Sequence, residues 1–272
     1  PYVSKISAGA QRLMHTKLHA TRSGEGQPAV LLHGMFGSGG NLGALARSLQ
    51  DRYSVYSVDL PNHGRSAWLE RADIPAMAQS LQQWMLHHGL SAAHLVGHSL
   101  GGKVAMQLAL SRPELVGALV VADIAPVTYP ARHDTVLDAL QAVAALDCTS
   151  RQDARECMAS YLEEPGVVEF LLGSLRRAED GIYRWRFNLQ GILEDYGSLS
   201  EAPLAKGPHR GPVQFIKGAD SAYIQQRHRG DILRLFPEAQ LKVMPGCGHW
   251  LHAEQPRLFN SLVGRFLDAQ PG

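Results

Sequence analysis

Cysteine is scarce in this chain and forms no pattern. The 272 residues hold three, Cys148, Cys157 and Cys247, an odd number with no CxxC pair. That excludes a disulfide framework and fits free thiols in a reducing compartment. An excess of one charge is also lacking. Lys plus Arg is 26 and Asp plus Glu is 25, for a net charge of +1, and basic residues gather in nothing longer than pairs such as Arg176-Arg177. Neither nucleic acid nor an anionic membrane is therefore an expected partner. No run of 18 apolar residues occurs, and the opening Pro1-Tyr2-Val3-Ser4-Lys5 has no charged segment leading into an apolar one. These absences predict a cytoplasmic protein that does not associate with membranes. No grouping of Cys, His and carboxylates has metal-ligand spacing, so no metal is expected.

What is present is an alternation. Short apolar or β-branched runs at 29–32, 54–58, 94–96, 118–122, 213–216 and 240–243 predict strands. Between and after them, Met77, Leu81, Trp84 and Met85, and then Leu258, Phe259, Leu262, Val263, Phe266 and Leu267, recur at helical spacing. The pattern predicts an α/β fold, a mostly parallel sheet with helices on both faces. From about 126 to about 203 strand signals stop and charged helical patterns take over, after which Val213-Gln214-Phe215-Ile216-Lys217-Gly218 resumes the sheet. So long a connection predicts a functional insertion, a helical cap of residues 126–203 on a core domain formed by 1–125 and 204–272.

Gly97-His98-Ser99-Leu100-Gly101 stands between the apolar run Ala93-His94-Leu95-Val96 and the helical pattern from Lys103. Strand, sharp turn and helix are the context a nucleophile elbow needs, with small residues two before and two after the serine and its hydroxyl raised at a helix N-terminus. Gly97, Gly102 and Lys103 also fit a phosphate loop, but the following position is Val104, which has no hydroxyl for magnesium. A second signal, His33-Gly34-Met35-Phe36-Gly37-Ser38-Gly39-Gly40, leaves an early strand. It contains no GxGxxG, and it suits an oxyanion loop, whose donors would be the backbone N–H groups of Met35 and Leu100. Late in the chain Pro245-Gly246-Cys247-Gly248-His249-Trp250-Leu251-His252 follows the last strand. Its glycine-flanked position selects His249 over His252 as general base. His33 and His98 are expected to be structural or site-lining, and Asp59-Leu60-Pro61-Asn62-His63-Gly64-Arg65-Ser66 to be a turn shaping that end of the sheet. Asp123 and Asp220 both follow strands and either could orient His249.

The elbow, the His33 loop, the Asp59 turn, the segment Asp123-Ile124-Ala125-Pro126 and the ending Gly248-His249-Trp250-Leu251-His252-Ala253 resemble the small α/β-hydrolase esterases of bacteria and their mitochondrial relatives. The resemblance implies a doubly wound sheet with a helical cap inserted after its sixth strand. It also implies Asp123 as the triad acid and hydrolysis of short-chain carboxylic esters through an acyl-enzyme, with no cofactor. An acyl-CoA thioesterase or a C–C bond hydrolase with the same triad is the alternative, and a non-catalytic scaffold is the reading from another class. The expected partner is a small-molecule ester, and Tyr129, Phe170, Trp185 and Phe187 are candidate acyl-pocket residues.

Overall fold

The computed structural model describes residues 17–131 and 133–270. Residues 1–16, which hold the Pro1–Lys5 opening and the first part of the expected core domain, lie outside the described residues. Five strands precede the insertion: β1 (Ala20–Ser23), β2 (Gln27–Leu32), β3 (Tyr53–Val58), β4 (Ala93–His98) and β5 (Val116–Ala122). Two short ones lie within it, β6 (Leu175–Arg177) and β7 (Tyr183–Trp185), and β8 (Val213–Gly218) and β9 (Ala239–Met244) follow it. Seven of them form one sheet in the order β1-β3-β2-β4-β5-β8-β9, parallel except for β1 against β3.

All six expected strands are present, and their alternation separates two cores. Val30, Leu32, Leu95, Leu119 and Val121 join one cluster with α2 (after α1, Gly43–Leu49; α2, Ile74–His87) and α3 (Leu100–Ser111). Ala29, Leu31, Val96 and Val120 join the other. Both faces are covered, which is why the central strands read as unbroken apolar runs. β1 escaped the sequence pattern because Ala20-Thr21-Arg22-Ser23 is a polar edge with no apolar side to detect.

Between β5 and β8 lie α4 (Asp134–Ala145), α5 (Arg151–Ala159), α6 (Pro165–Leu172) and α7 (Leu189–Ser200). The insertion is not wholly helical, since β6 and β7 pair as an antiparallel hairpin. Three residues per strand are too few to show a period. Among the described residues it follows the fifth strand in chain order, not the sixth. Beyond β8 come α8 (Arg229–Leu235), α9 (Leu251–Glu254) and α10 (Pro256–Asp268). On α10, Phe259, Val263, Phe266 and Leu267 are buried as expected, whereas Leu258 lies on the exposed side.

The β4–α3 junction positions the site. A Cβ on Gly97 would stand 2.3 Å from the Gly101 carbonyl oxygen, and one on Gly101 would stand 2.3 Å from that of Leu32. These are backbone atoms that cannot turn aside, so the elbow closes only with glycine at both positions. Gly101→Ala is expected to lower unfolding free energy in urea by about 1–3 kcal/mol or more. Gly40→Ala, whose Cβ would meet only Ser38 Oγ at 3.8 Å, is expected to stay within about 0.5 kcal/mol. Equal stability of the two variants would contradict the close-approach account.

Candidate active site

Ser99 stands between β4 and α3 with φ +52° and ψ −116°, a strained conformation that a non-glycine residue holds only when its surroundings impose it. Its Oγ lies 3.0 Å from His249 Nε2, and His249 Nδ1 lies 2.8 Å from Asp123 Oδ2. A carboxylate only accepts, so the Nδ1 proton is donated to Asp123 and Nε2 is left to accept from the serine hydroxyl. Asp123, also at positive φ, is fully buried after β5. Its Oδ1 accepts the Gly218 N–H at 3.1 Å, and its Oδ2 also accepts the Ser221 hydroxyl, whose oxygen takes the Tyr223 N–H at 3.2 Å. Asp220 is exposed, and its N–H donates to the Cys247 carbonyl at 2.9 Å. The structure thus brings Asp123, not Asp220, against His249. The support near Asp220 comes from Ser221.

His252 is turned away from this line. It is buried on α9 with its ring against His98 and Phe259 at 4.4 and 6.1 Å. His98 is also buried and donates Nε2–H to the His249 carbonyl at 2.9 Å, fixing the loop that carries His249. Burial keeps both neutral: His98 is pushed well below the usual histidine range, and His252 to about 4, with the nearby His249 adding to the effect.

Met35 and Leu100 border the cavity beside Ser99. The loop holding Met35 is braced from the turn after β3, which the sequence suggested only shapes the sheet end. Asp59 Oδ1 accepts the Gly39 N–H at 2.7 Å, while its Oδ2 accepts the Arg65 N–H at 2.9 Å. His33 accepts the Leu60 N–H at Nε2 (3.0 Å) and donates Nδ1–H to the Gly34 carbonyl (2.7 Å). His63 accepts the Phe36 N–H at Nε2 (3.2 Å) and donates Nδ1–H to the Pro61 carbonyl (2.9 Å). Phe36 sits at φ +64°, and Ser174 of the insertion donates its hydroxyl to the Phe36 carbonyl at 2.6 Å. Each ring must be neutral to accept. Burial supplies that condition, lowering His33 and pushing His63 to about 3.

Of the four expected pocket residues, Tyr129 and Phe170 line the cavity. Trp185 and Phe187 do not. Trp185 donates its indole N–H to the Leu140 carbonyl at 3.0 Å and stacks on Phe187 at 5.3 Å, and Phe187, 2% exposed, packs on Phe36 at 5.4 Å. They pack where the insertion meets the loops carrying Phe36 and His63, behind the cavity wall. Three lining residues escaped the sequence. Tyr223 stacks on His249 at 4.0 Å; its hydroxyl meets His133 Nε2 at 3.1 Å, and His133 Nδ1 meets the Tyr196 hydroxyl at 2.6 Å. Lys103, which fitted a phosphate loop, has its ammonium on three backbone carbonyls. Burial pushes it down to about 7, and the nearby Glu201 carboxylate opposes that shift. Among the described residues no group of three or more His, Cys, Asp or Glu is placed to hold a metal, and no helix is long and apolar enough to cross a membrane.

Below the ordinary histidine value of 6.5, the unfolded chain protonates His63 and His252, while the folded rings resist down to about 3 and about 4. Unfolding then takes up protons, so stability is lost as pH falls from 6.5 toward 4. The Tm is expected to drop through that window. His63→Gln, whose amide oxygen can accept the same Phe36 N–H, is expected to flatten the drop. An equally steep Tm curve in that variant would contradict the neutral-acceptor role.

The profile of the alpha/beta hydrolase family matches residues 29–262. The sn-1-specific diacylglycerol lipase ABHD11 of Mus musculus is 39% identical over 246 residues, 88% of this chain and 80% of that protein. Esterase YbfF of Escherichia coli is 38% identical over 243 residues, 89% of this chain and 93% of the other. Among solved structures, a marine microorganism esterase superposes with a TM-score of 0.89 at 34% identity, covering 92% of this chain and 99% of its own. With a profile match from β2 into α10 and relatives 38–39% identical over 80% and 93% of their own length, the chain belongs to the alpha/beta hydrolase family.

Proposed function

We propose that the chain hydrolyses short-chain carboxylic esters through an acyl-enzyme on Ser99. Its family and its esterase and lipase relatives make it a carboxylic ester hydrolase. The observation that carries the finer reading is the continuous contact from Ser99 Oγ to His249 Nε2 and from His249 Nδ1 to Asp123 Oδ2, at 3.0 and 2.8 Å. In the first half-reaction Oγ attacks the ester carbonyl as Nε2 takes its proton. The backbone N–H groups of Met35 and Leu100 receive the developing oxyanion. Protonated His249 gives that proton to the departing alcohol, leaving the acyl group on Ser99. Water then enters, His249 takes its proton, and collapse of the second tetrahedral intermediate frees the acid and restores the serine. Asp123 stays ionised and holds the ring in one tautomer throughout.

The short acyl arm is supported by the size of the cavity. Apolar side chains such as Val167, Phe170 and Leu171 line it, and the Tyr196–His133–Tyr223 chain also borders it. Those polar atoms already pair with one another, so the limit on a long alkyl group is room: the cavity beside Ser99 holds about 100 Å³. The mouse relative is named as a diacylglycerol lipase, so a long-chain glyceride is the competing outcome. p-Nitrophenyl esters from acetate to palmitate, run beside a diacylglycerol and acyl-CoA substrates, distinguish these. The reading predicts the highest kcat/KM at the short end. A maximum at palmitate or the diacylglycerol would overturn it.

Three substitutions test the roles on the favoured ester. Ser99→Ala is expected to abolish turnover with the Tm retained. Asp123→Asn is expected to lower kcat on the order of 10⁴-fold, since an amide presents the wrong partner to Nδ1. Asp220→Asn is expected to cost far less. The reverse ranking would move the acid to Asp220.

A further inference from the structure

Lys103 is the buried charge that the mechanism leaves unused. It lies in the first turn of α3, 2% exposed, beside the elbow glycines. Its Nζ donates to the Val127 carbonyl at 3.1 Å, where the chain passes from β5 into the insertion. It also donates to the Ser200 and Glu201 carbonyls, both at 2.6 Å, where the chain leaves α7. Three donors thus meet three acceptors from the insertion's two ends, and the ammonium stands 5.0 Å from the centre of the Tyr129 ring. One turn on, Gln107 lies on the same face of α3. Its amide donates to the Leu204 carbonyl at 3.0 Å and accepts the Leu204 N–H at 2.7 Å.

A desolvated ammonium is tolerated only where its donors are satisfied. Here that requirement is met by backbone alone, so the geometry works only if both ends of the insertion are in place. The ends also hold each other, with Tyr129 N–H on the Ser200 carbonyl and Ala202 N–H on the Thr128 hydroxyl oxygen, both at 3.0 Å. Tyr129 and Pro130 at one end, and Leu199 and Ser200 at the other, line the cavity beside Ser99. We infer that Lys103 is a positioning residue which, with Gln107 behind it, clasps both ends of the insertion onto the nucleophile helix and so fixes the pocket wall that selects the acyl group. The selectivity part rests on the ester reading above. The clasp itself does not.

The clasp predicts a split between wall and chemistry. In Lys103→Met, amide hydrogen exchange at Tyr129 and Ala202 should quicken by at least about tenfold while β4 and β5 stay protected. The hexanoate-to-acetate ratio of kcat/KM should fall about tenfold, mainly through KM, because a wall displaced by about an ångström misplaces the longer acyl group most. Labelling of Ser99 by a fluorophosphonate should fall less than hexanoate turnover does. Lys103→Arg, which keeps charge and donors, should recover much of both losses. Gln107→Met should loosen Ala202 and Leu204 but leave Tyr129 protected, and it carries the test if Lys103→Met does not fold. Wild-type exchange at these amides would overturn the clasp. So would a parallel loss of hexanoate turnover, acetate turnover and labelling, which would place Lys103 in service of the elbow. Failure of the wild-type protein to turn over esters would sink the ester reading and leave the exchange result standing.

Discussion

A single buried carboxylate organises this molecule. Asp123 has no exposure to solvent, and a charge so placed is tolerated only if its oxygens are filled with donors. They come from three directions: the His249 ring, the Ser221 hydroxyl and the Gly218 N–H. Satisfying that carboxylate draws the β8 end, the loop after it and the loop before α9 to one point. It also leaves the far side of the imidazole facing Ser99.

The sheet makes that convergence inexpensive. Ser99 follows β4, Asp123 follows β5, the His33 loop follows β2 and His249 lies beyond β9. All four strands run parallel, so their carboxyl ends open on one side of the sheet. Around this edge the protein uses neutral imidazoles as fixed polar braces. His33, His63 and His98 each hold backbone groups of a site loop, and burial keeps each of them uncharged. Of the histidines on these site loops, His249 alone bridges Ser99 and a carboxylate.

How much of this the sequence discloses depends on how local each feature is. The Ser99 elbow is written in consecutive residues, and the glycines around it follow from close approaches within the turn, so both were legible. His249 was singled out by its loop, again a local feature. Spacing alone left Asp123 and Asp220 open, because both follow strands; only the folded distances separate them. The brace role of the Asp59 turn was hidden because its partners are 20 to 27 residues away, on Gly39, His33 and Phe36. Lys103 was hidden further, since its carbonyl partners are 24, 97 and 98 residues off and backbone atoms have no sequence signature. Trp185 and Phe187 show the opposite limit: apolar aromatics in an insertion look the same whether they line a cavity or fill a core. Polar or very short strands such as β1 and the β6–β7 hairpin leave no periodicity to detect.

The central claim is that Ser99 carries the acyl group between the two halves of the reaction. Rapid acid quenching of the enzyme with p-nitrophenyl butyrate, followed by peptide mass spectrometry, reads that directly. The account predicts one butyryl group on the peptide containing Ser99, accumulating with the first release of p-nitrophenol and absent in Ser99→Ala. Turnover with no acylated peptide under conditions where deacylation limits the rate, or a butyryl group on another side chain, would contradict it.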